Sequence, residues 1–194
     1  MNHRGRPDSY LHPGSCAEWL GVAHFTRAQE WQRRRARQLL QLLITYRGHL
    51  LEREEIFELL WANEAPDTLA RDFKVALNQV NRVLEPDRTP DQTPTFIERD
   101  GTVDGLRTEA DMWVDADEFA QLVERAEKRH GHEAPDLYRR ALALYGDDYL
   151  AVDARYEAWA SAERERLLAL YLRAADRLGM ELLAAGAFTE CIAW

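Results

Sequence analysis

Apolar residues recur at helical spacing over most of the 194-residue chain, and two short regions, 18–30 and about 95–107, break into strand-like runs. The clearest helical stretch is Pro66 to Pro86, PDTLARDFKVALNQVNRVLEP. At 100° per residue, Leu69, Phe73, Ala76, Leu77, Val80, Val83 and Leu84 fall within an arc of roughly 120°, a core-facing stripe. Pro66 and Asp67 mark its start, with Asp67 or Thr68 able to cap the first free amides. Pro86 marks its end, because the residue before a proline avoids the helical region. The opposite side carries Arg71, Lys74, Asn78, Asn81 and Arg82, a row of hydrogen-bond donors on one exposed face.

Two helices precede this one. Trp31 to Tyr46 turns Ala36, Leu39, Leu40 and Leu43 inward and Arg34, Arg37, Gln38 and Gln41 outward. Glu52 to Trp61 carries acids in its first turn, where the helix dipole favours them, and buries Ile56, Leu59, Leu60 and Trp61. A short turn, Ala62 to Ala65, leads into the third helix, so the layout is helix-turn-helix. Upstream, residues 1–17 read as a flexible lead-in and residues 18–30 as one or two strands. Downstream of a Pro/Thr/Asp-rich loop, Thr95 to Glu98 reads as a strand. Asp100-Gly101 and Asp104-Gly105 read as turns, and Leu106 as the start of a return strand. A hairpin placed just after a polar-fronted helix is what a winged helix requires.

From Trp113 only helices are expected. Asp115 caps one that runs to about Arg129, and a second spans Pro135 to Tyr145. A long third runs from Asp153 to about Leu178 with a stripe through Tyr156, Trp159, Ala160, Leu167, Leu170, Tyr171, Ala174 and Leu178. Glu163 interrupts that stripe and calls for an arginine partner. Met180 to Ala184 and Phe188 to Trp194 form a last pair around Gly186, in the manner of an α-solenoid. The shortness of the last helix reads as part of a longer array.

The net charge of −9 argues against coating nucleic acid by charge alone. Its distribution is uneven. Arg27 to Arg47 holds six arginines and one acid, Glu52 to Asp67 six acids and one arginine, and residues 113–194 ten basic against sixteen acidic groups. Positive charge is therefore local. A helix with a packed back and a front of Arg, Lys and Asn has the build of a major-groove reader, since Arg and Lys reach guanine edges or phosphates and Asn bridges adenine. A plain solvated face fits the same wheel, and the exposed Glu85 and flanking Asp72 favour it. Cys16 and Cys191 lack metal-type spacing, and a reduced cytoplasmic protein is the simplest reading. No apolar run approaches the ~20 residues that cross a bilayer. His130-Gly131-His132-Glu133 is a weak metal candidate without a distant partner, and phosphate loops, nucleophile elbows and HExxH are absent.

Two signatures carry a resemblance. Residues 31–108, through RRRARQLLQLLITYRGHLLEREEIFELLW, the 66–86 helix and the FIERDG hairpin, resemble the OmpR-type winged-helix DNA-binding domain. Residues 113–194, through WVDADEF, ALALYGDDYL and YEAWASAERERLLALYLRAADRL, resemble the bacterial transcriptional activator domain of antibiotic-regulatory-protein-like regulators. The resemblance implies a mainly α fold with a small β component, in which a winged helix-turn-helix domain at 18–110 precedes a tetratricopeptide-like α-helical domain at 111–194. It implies double-stranded DNA as partner, with Arg71, Lys74, Asn78 and Arg82 facing the groove. It further implies a homodimer or RNA polymerase contacts through the helical half. Asn81 belongs to the same face, and phosphate-clamp candidates are Arg33, Arg34, Arg35, Arg37, Arg99 and Arg107. No cofactor, metal, membrane or catalytic role is expected. Two departures, Val80-Asn81-Arg82-Val83-Leu84 at the helix end and Val103-Asp104-Gly105-Leu106 in the return strand, reduce positive or aromatic character there. They keep a second reading open, a protein-interaction scaffold whose winged helix no longer binds DNA. A metal hydrolase built on His130 and His132 is a third.

Overall fold

The structure is a computed structural model and describes residues 10–11, 34–110, 112–129, 133–146, 149–150 and 154–193. The chain divides into two compact units, residues 1–10 with 17–112 and residues 11–16 with 113–194. The strands expected within 18–30 lie outside the described residues. So does most of the 1–17 lead-in, apart from the short strand β1 (Tyr10–Leu11).

In unit 1, α1 (Arg34–Thr45) is followed by the two-residue strand β2 (Leu51–Glu52) and by α2 (Arg53–Trp61). Then come α3 (Pro66–Leu84), β3 (Ile97–Asp100) and β4 (Val103–Leu106). The end of α1 is closed by its own flank. The Arg47 guanidinium donates to the Ile44 carbonyl at 2.9 Å, and Gly48 takes a φ of +83° that a side chain would resist. α1 packs on α2, α3 and β4 together, so its whole length from Gln38 to Ile44 is buried. The outward placement expected for Gln38 and Gln41 is therefore corrected: both are buried, because a helix with three neighbours has more than one covered face.

α3 begins two or three residues earlier than a cap at Asp67 or Thr68 would require. Ala65 is the N-cap, Pro66 opens the first turn, and no side chain caps it. The Thr68 hydroxyl instead donates to the Ala65 carbonyl at 2.9 Å. Of the expected stripe, Phe73, Ala76, Leu77, Val80, Val83 and Leu84 are buried.

The sheet has the order β2-β4-β3, all antiparallel, with Ile97 opposite Leu106 and Leu51 opposite Asp104. The hairpin turn sits at Gly101, at φ +58°. The second expected turn is corrected: Asp104 and Gly105 lie inside β4, the central strand. Gly105 is there for closeness rather than for bending. A Cβ on it would stand 2.7 Å from Leu50 Cδ2, 2.9 Å from the His49 carbonyl oxygen and 3.3 Å from Leu50 Cα. Two of those neighbours are backbone and cannot step aside. Gly105→Ala is expected to lower the stability of this unit by about 1–3 kcal/mol, the usual cost of overpacking. Urea unfolding of the full chain measures it, and an unchanged midpoint would contradict the crowding argument.

In unit 2, Leu11 of β1 shares a two-stranded sheet with β5 (Trp113–Val114). The helices are α4 (Asp115–Glu127), α5 (Glu133–Leu144), a 3-10 turn at Ala158–Ala160, α6 (Ser161–Ala184) and α7 (Phe188–Ala193). Their core joins Phe119, Leu122 and Val123 to Tyr138, Ala141 and Leu142 and to Leu167, Ala174 and Leu178. The ion pair Arg173–Glu127, at 2.9 Å, ties α6 to α4, and Arg139 ties α5 to Glu190 of α7. Glu163 has the arginine partner its place in the stripe called for, Arg166, at 2.6 and 2.9 Å.

α6 starts at Ser161 rather than at Asp153, and Met180 to Ala184 are its last residues rather than a separate piece. Tyr156, expected in the buried stripe, is 93% exposed. The reason lies in Arg164, which belongs to an apparently solvated Glu-Arg-Glu-Arg run. Its Nε–H donates to the Tyr149 carbonyl at 3.0 Å and its Nη2–H to the Ala154 carbonyl at 2.8 Å. These bonds tie the carbonyls of Tyr149 and Ala154 to α6, and Leu150 is buried at a φ of +53°.

Candidate nucleic-acid interface

The polar front of α3 rests on an aromatic wedge. Phe57 and Trp61 of α2 meet Phe73 of α3 edge-on, with ring centroids 5.6 and 6.2 Å apart, and Phe57 and Trp61 lie 6.3 Å from each other. Edge-to-face pairs of this kind fix angle as well as distance, so α3 has one orientation against α2. Its buried aliphatic residues face α1 and α2, leaving the opposite flank to solvent.

Arg71, Lys74, Asn78 and Arg82 are all exposed on that flank. From Arg71 to Arg82 they span about 16 Å of helix at 1.5 Å per residue, and a B-DNA major groove about 12 Å wide admits a helix along such a length. Arg71 is also held by its neighbour, Nε–H donating to Asp72 Oδ1 at 3.1 Å. Asn81 is corrected: it is buried, and its side-chain oxygen has no hydrogen-bond partner. It lies at the edge of the polar arc, where the neighbouring packing claims it. Glu85 does not stand as a free negative charge at the helix end. Its Oε1 accepts the Thr95 N–H at 2.9 Å, and Arg88 lies 3.6 Å from Oε2.

The other cations are divided. Arg34 is exposed, and Arg37 and Arg107 are half-buried. Arg33 lies outside the described residues. Arg35 is drawn into the fold, its guanidinium 5.9 Å over the Trp61 ring and bonded to Glu64 at 3.2 Å and to Gln38 at 3.2 Å. Arg99 donates to Asp104 Oδ1 at 2.9 Å.

Two residues that matter here, Arg53 and Asp104, are given no such role by the sequence: Arg53 is singled out nowhere, and Asp104 reads only as a turn residue and a departure in the return strand. Arg53 is the single cation among the six acids of 52–67, and that isolation was the available signal. Among the described residues, no group of three His, Cys, Asp or Glu is placed to hold a metal ion, and no helix is long and apolar enough to cross a membrane. His130 and His132 lie outside the described residues.

Compared with known families, residues 114–194 match the bacterial transcriptional activator domain. That family is a regulatory one associated with transcriptional activation, not an enzyme family. No curated protein matches the chain.

Proposed function

We propose that this protein, whose residues 114–194 match a transcriptional activator domain, is a DNA-binding transcriptional regulator acting as an activator. The observation that carries the reading is the exposed row Arg71, Lys74, Asn78 and Arg82 on a helix whose back is locked by the Phe57, Trp61 and Phe73 wedge. In this reading the order α1-β2-α2-α3-β3-β4, with β4 central in the sheet, is a winged helix-turn-helix. α3 enters the major groove, and Arg34, Arg37 and Arg107 contact phosphates. The tetratricopeptide-like helical unit dimerises or meets RNA polymerase, and the protein works in the cytoplasm.

Binding to its own promoter region, followed by gel shift at low salt, tests this. Arg71→Ala or Asn78→Ala is expected to cost ~1–3 kcal/mol at the cognate site and to relax specificity at one base position. Lys74→Ala weakens binding to all sequences about equally, as a phosphate contact does. A wild-type chain that forms no complex at low salt would defeat the reading. A second reading, a protein-interaction scaffold, draws on the net charge of −9 and on the engagement of Arg35 and Arg99 within the fold. Under that reading, Lys74→Glu with Arg82→Glu leaves the partner complex and regulation intact.

A further inference from the structure

Asp104 lies in the central strand of the hairpin sheet, fully buried, and two arginines share it. Its Oδ2 accepts both the Nε–H and the Nη2–H of Arg53, at 3.0 and 2.8 Å, and its Oδ1 accepts the Nε–H of Arg99 at 2.9 Å. Arg53 reaches further. Its Nη2 donates to the Gly101 carbonyl at 3.2 Å, its backbone N–H to the Thr102 carbonyl at 2.9 Å, and its guanidinium stands 5.5 Å over the Phe73 ring. One arginine at the start of α2 therefore touches the hairpin turn, the central strand and α3.

We propose that Asp104 is a positioning residue for DNA binding: it sets the hairpin against α3 through Arg53 and withholds Arg99 from phosphate. The inference rests on the reading of α3 as a DNA-contacting helix. A phosphate and Asp104 compete for Arg99. Arg99 projects from β3 directly opposite Asp104, and its side chain is half exposed, so it looks available. Turning it to a phosphate would leave Oδ1 of a carboxylate that water does not reach without its donor, and a buried acceptor left unmet is costly even while Arg53 still holds Oδ2. Lys74 and Arg82 carry no such penalty. Apart from Arg107 just beyond β4, the hairpin therefore contributes shape beside the helix and little counterion release.

The test is the slope of log binding constant against log salt, measured for the full chain on its own promoter DNA. Each phosphate neutralised on duplex DNA contributes about 0.9 to that slope. Lys74→Ala is expected to reduce the slope by about one, whereas Arg99→Ala leaves it unchanged. Asp104→Asn is expected to release Arg99 and steepen the slope by about one, and adding Arg99→Ala to Asp104→Asn restores the wild-type value. Folding of each variant is checked by circular dichroism. If Asp104→Asn fails to fold, the comparison of Arg99→Ala with Lys74→Ala still decides. A wild-type complex whose slope falls by about one on Arg99→Ala overturns the inference and leaves the DNA reading standing. A wild-type chain that binds no DNA overturns both.

Discussion

Trp61→Ala is expected to lower the stability of the helix-sheet unit by about 3–5 kcal/mol, the range for truncating a large buried aromatic to a methyl group. Trp61 is only 2% exposed, and its removal does more than open a cavity. It takes away edge-on partners of both Phe57 and Phe73 and the ring beneath the Arg35 guanidinium. Arg35 keeps Glu64, so the charge is not stranded, and the loss is mainly one of packing. Because the chain has two units, a single melting curve mixes their transitions. Amide hydrogen exchange separates them. Protection is expected to fall across α1, α2 and α3 while α4 to α6 stay as they are. A loss of less than about 1 kcal/mol in the first unit would mean that the wedge closes around the gap and does not fix α3.

Arg164→Ala has the second large effect, in the other unit, at about 2–4 kcal/mol. A hydrogen bond to a charged group contributes ≈ 1.5–3 kcal/mol, and Arg164 makes two, to carbonyls that would otherwise lack those donors. The loss stays below the simple sum of two such bonds because Arg164 is half-buried and water replaces part of what is removed. Arg164→Lys recovers less than half, since an ammonium cannot span two carbonyls in one plane as a guanidinium does. Hydrogen exchange in the first turns of α6 reports the change. Equal stability for the lysine and wild-type chains would show that charge alone matters at this position.

Both residues illustrate how differently parts of this chain announce themselves. Trp61 is a large apolar side chain at the end of an amphipathic stretch, and its burial follows from spacing alone. Arg164 stands among alternating acids and bases, and periodicity assigns it to solvent. Its neighbours on a helical wheel say nothing about two carbonyls 10 and 15 residues earlier. The same gap separates Lys74 from Asn81 on one helix. Lys74 lies well within the polar arc and is exposed, whereas Asn81 lies at its margin and is covered. A wheel ranks positions by angle, but how wide a face is buried depends on how many elements lie against it. α1, with three neighbours, hides two glutamines that its wheel turns outward.

Local periodicity and turn chemistry established the succession of helices, the stripe inside α3, the turn at Gly101 and the four cations and amides that stand in front. They do so because each rests on side chains within a few residues of one another. Long-range placement established the rest: that Asp104 is an ion-pair centre rather than a turn residue, that Gly105 is a point of close approach, and that Arg35, Arg53, Arg99 and Arg164 bond inward. Those outcomes depend on groups up to 51 residues away, such as Arg53 and Asp104, and a charge has no partner until the fold brings one to it.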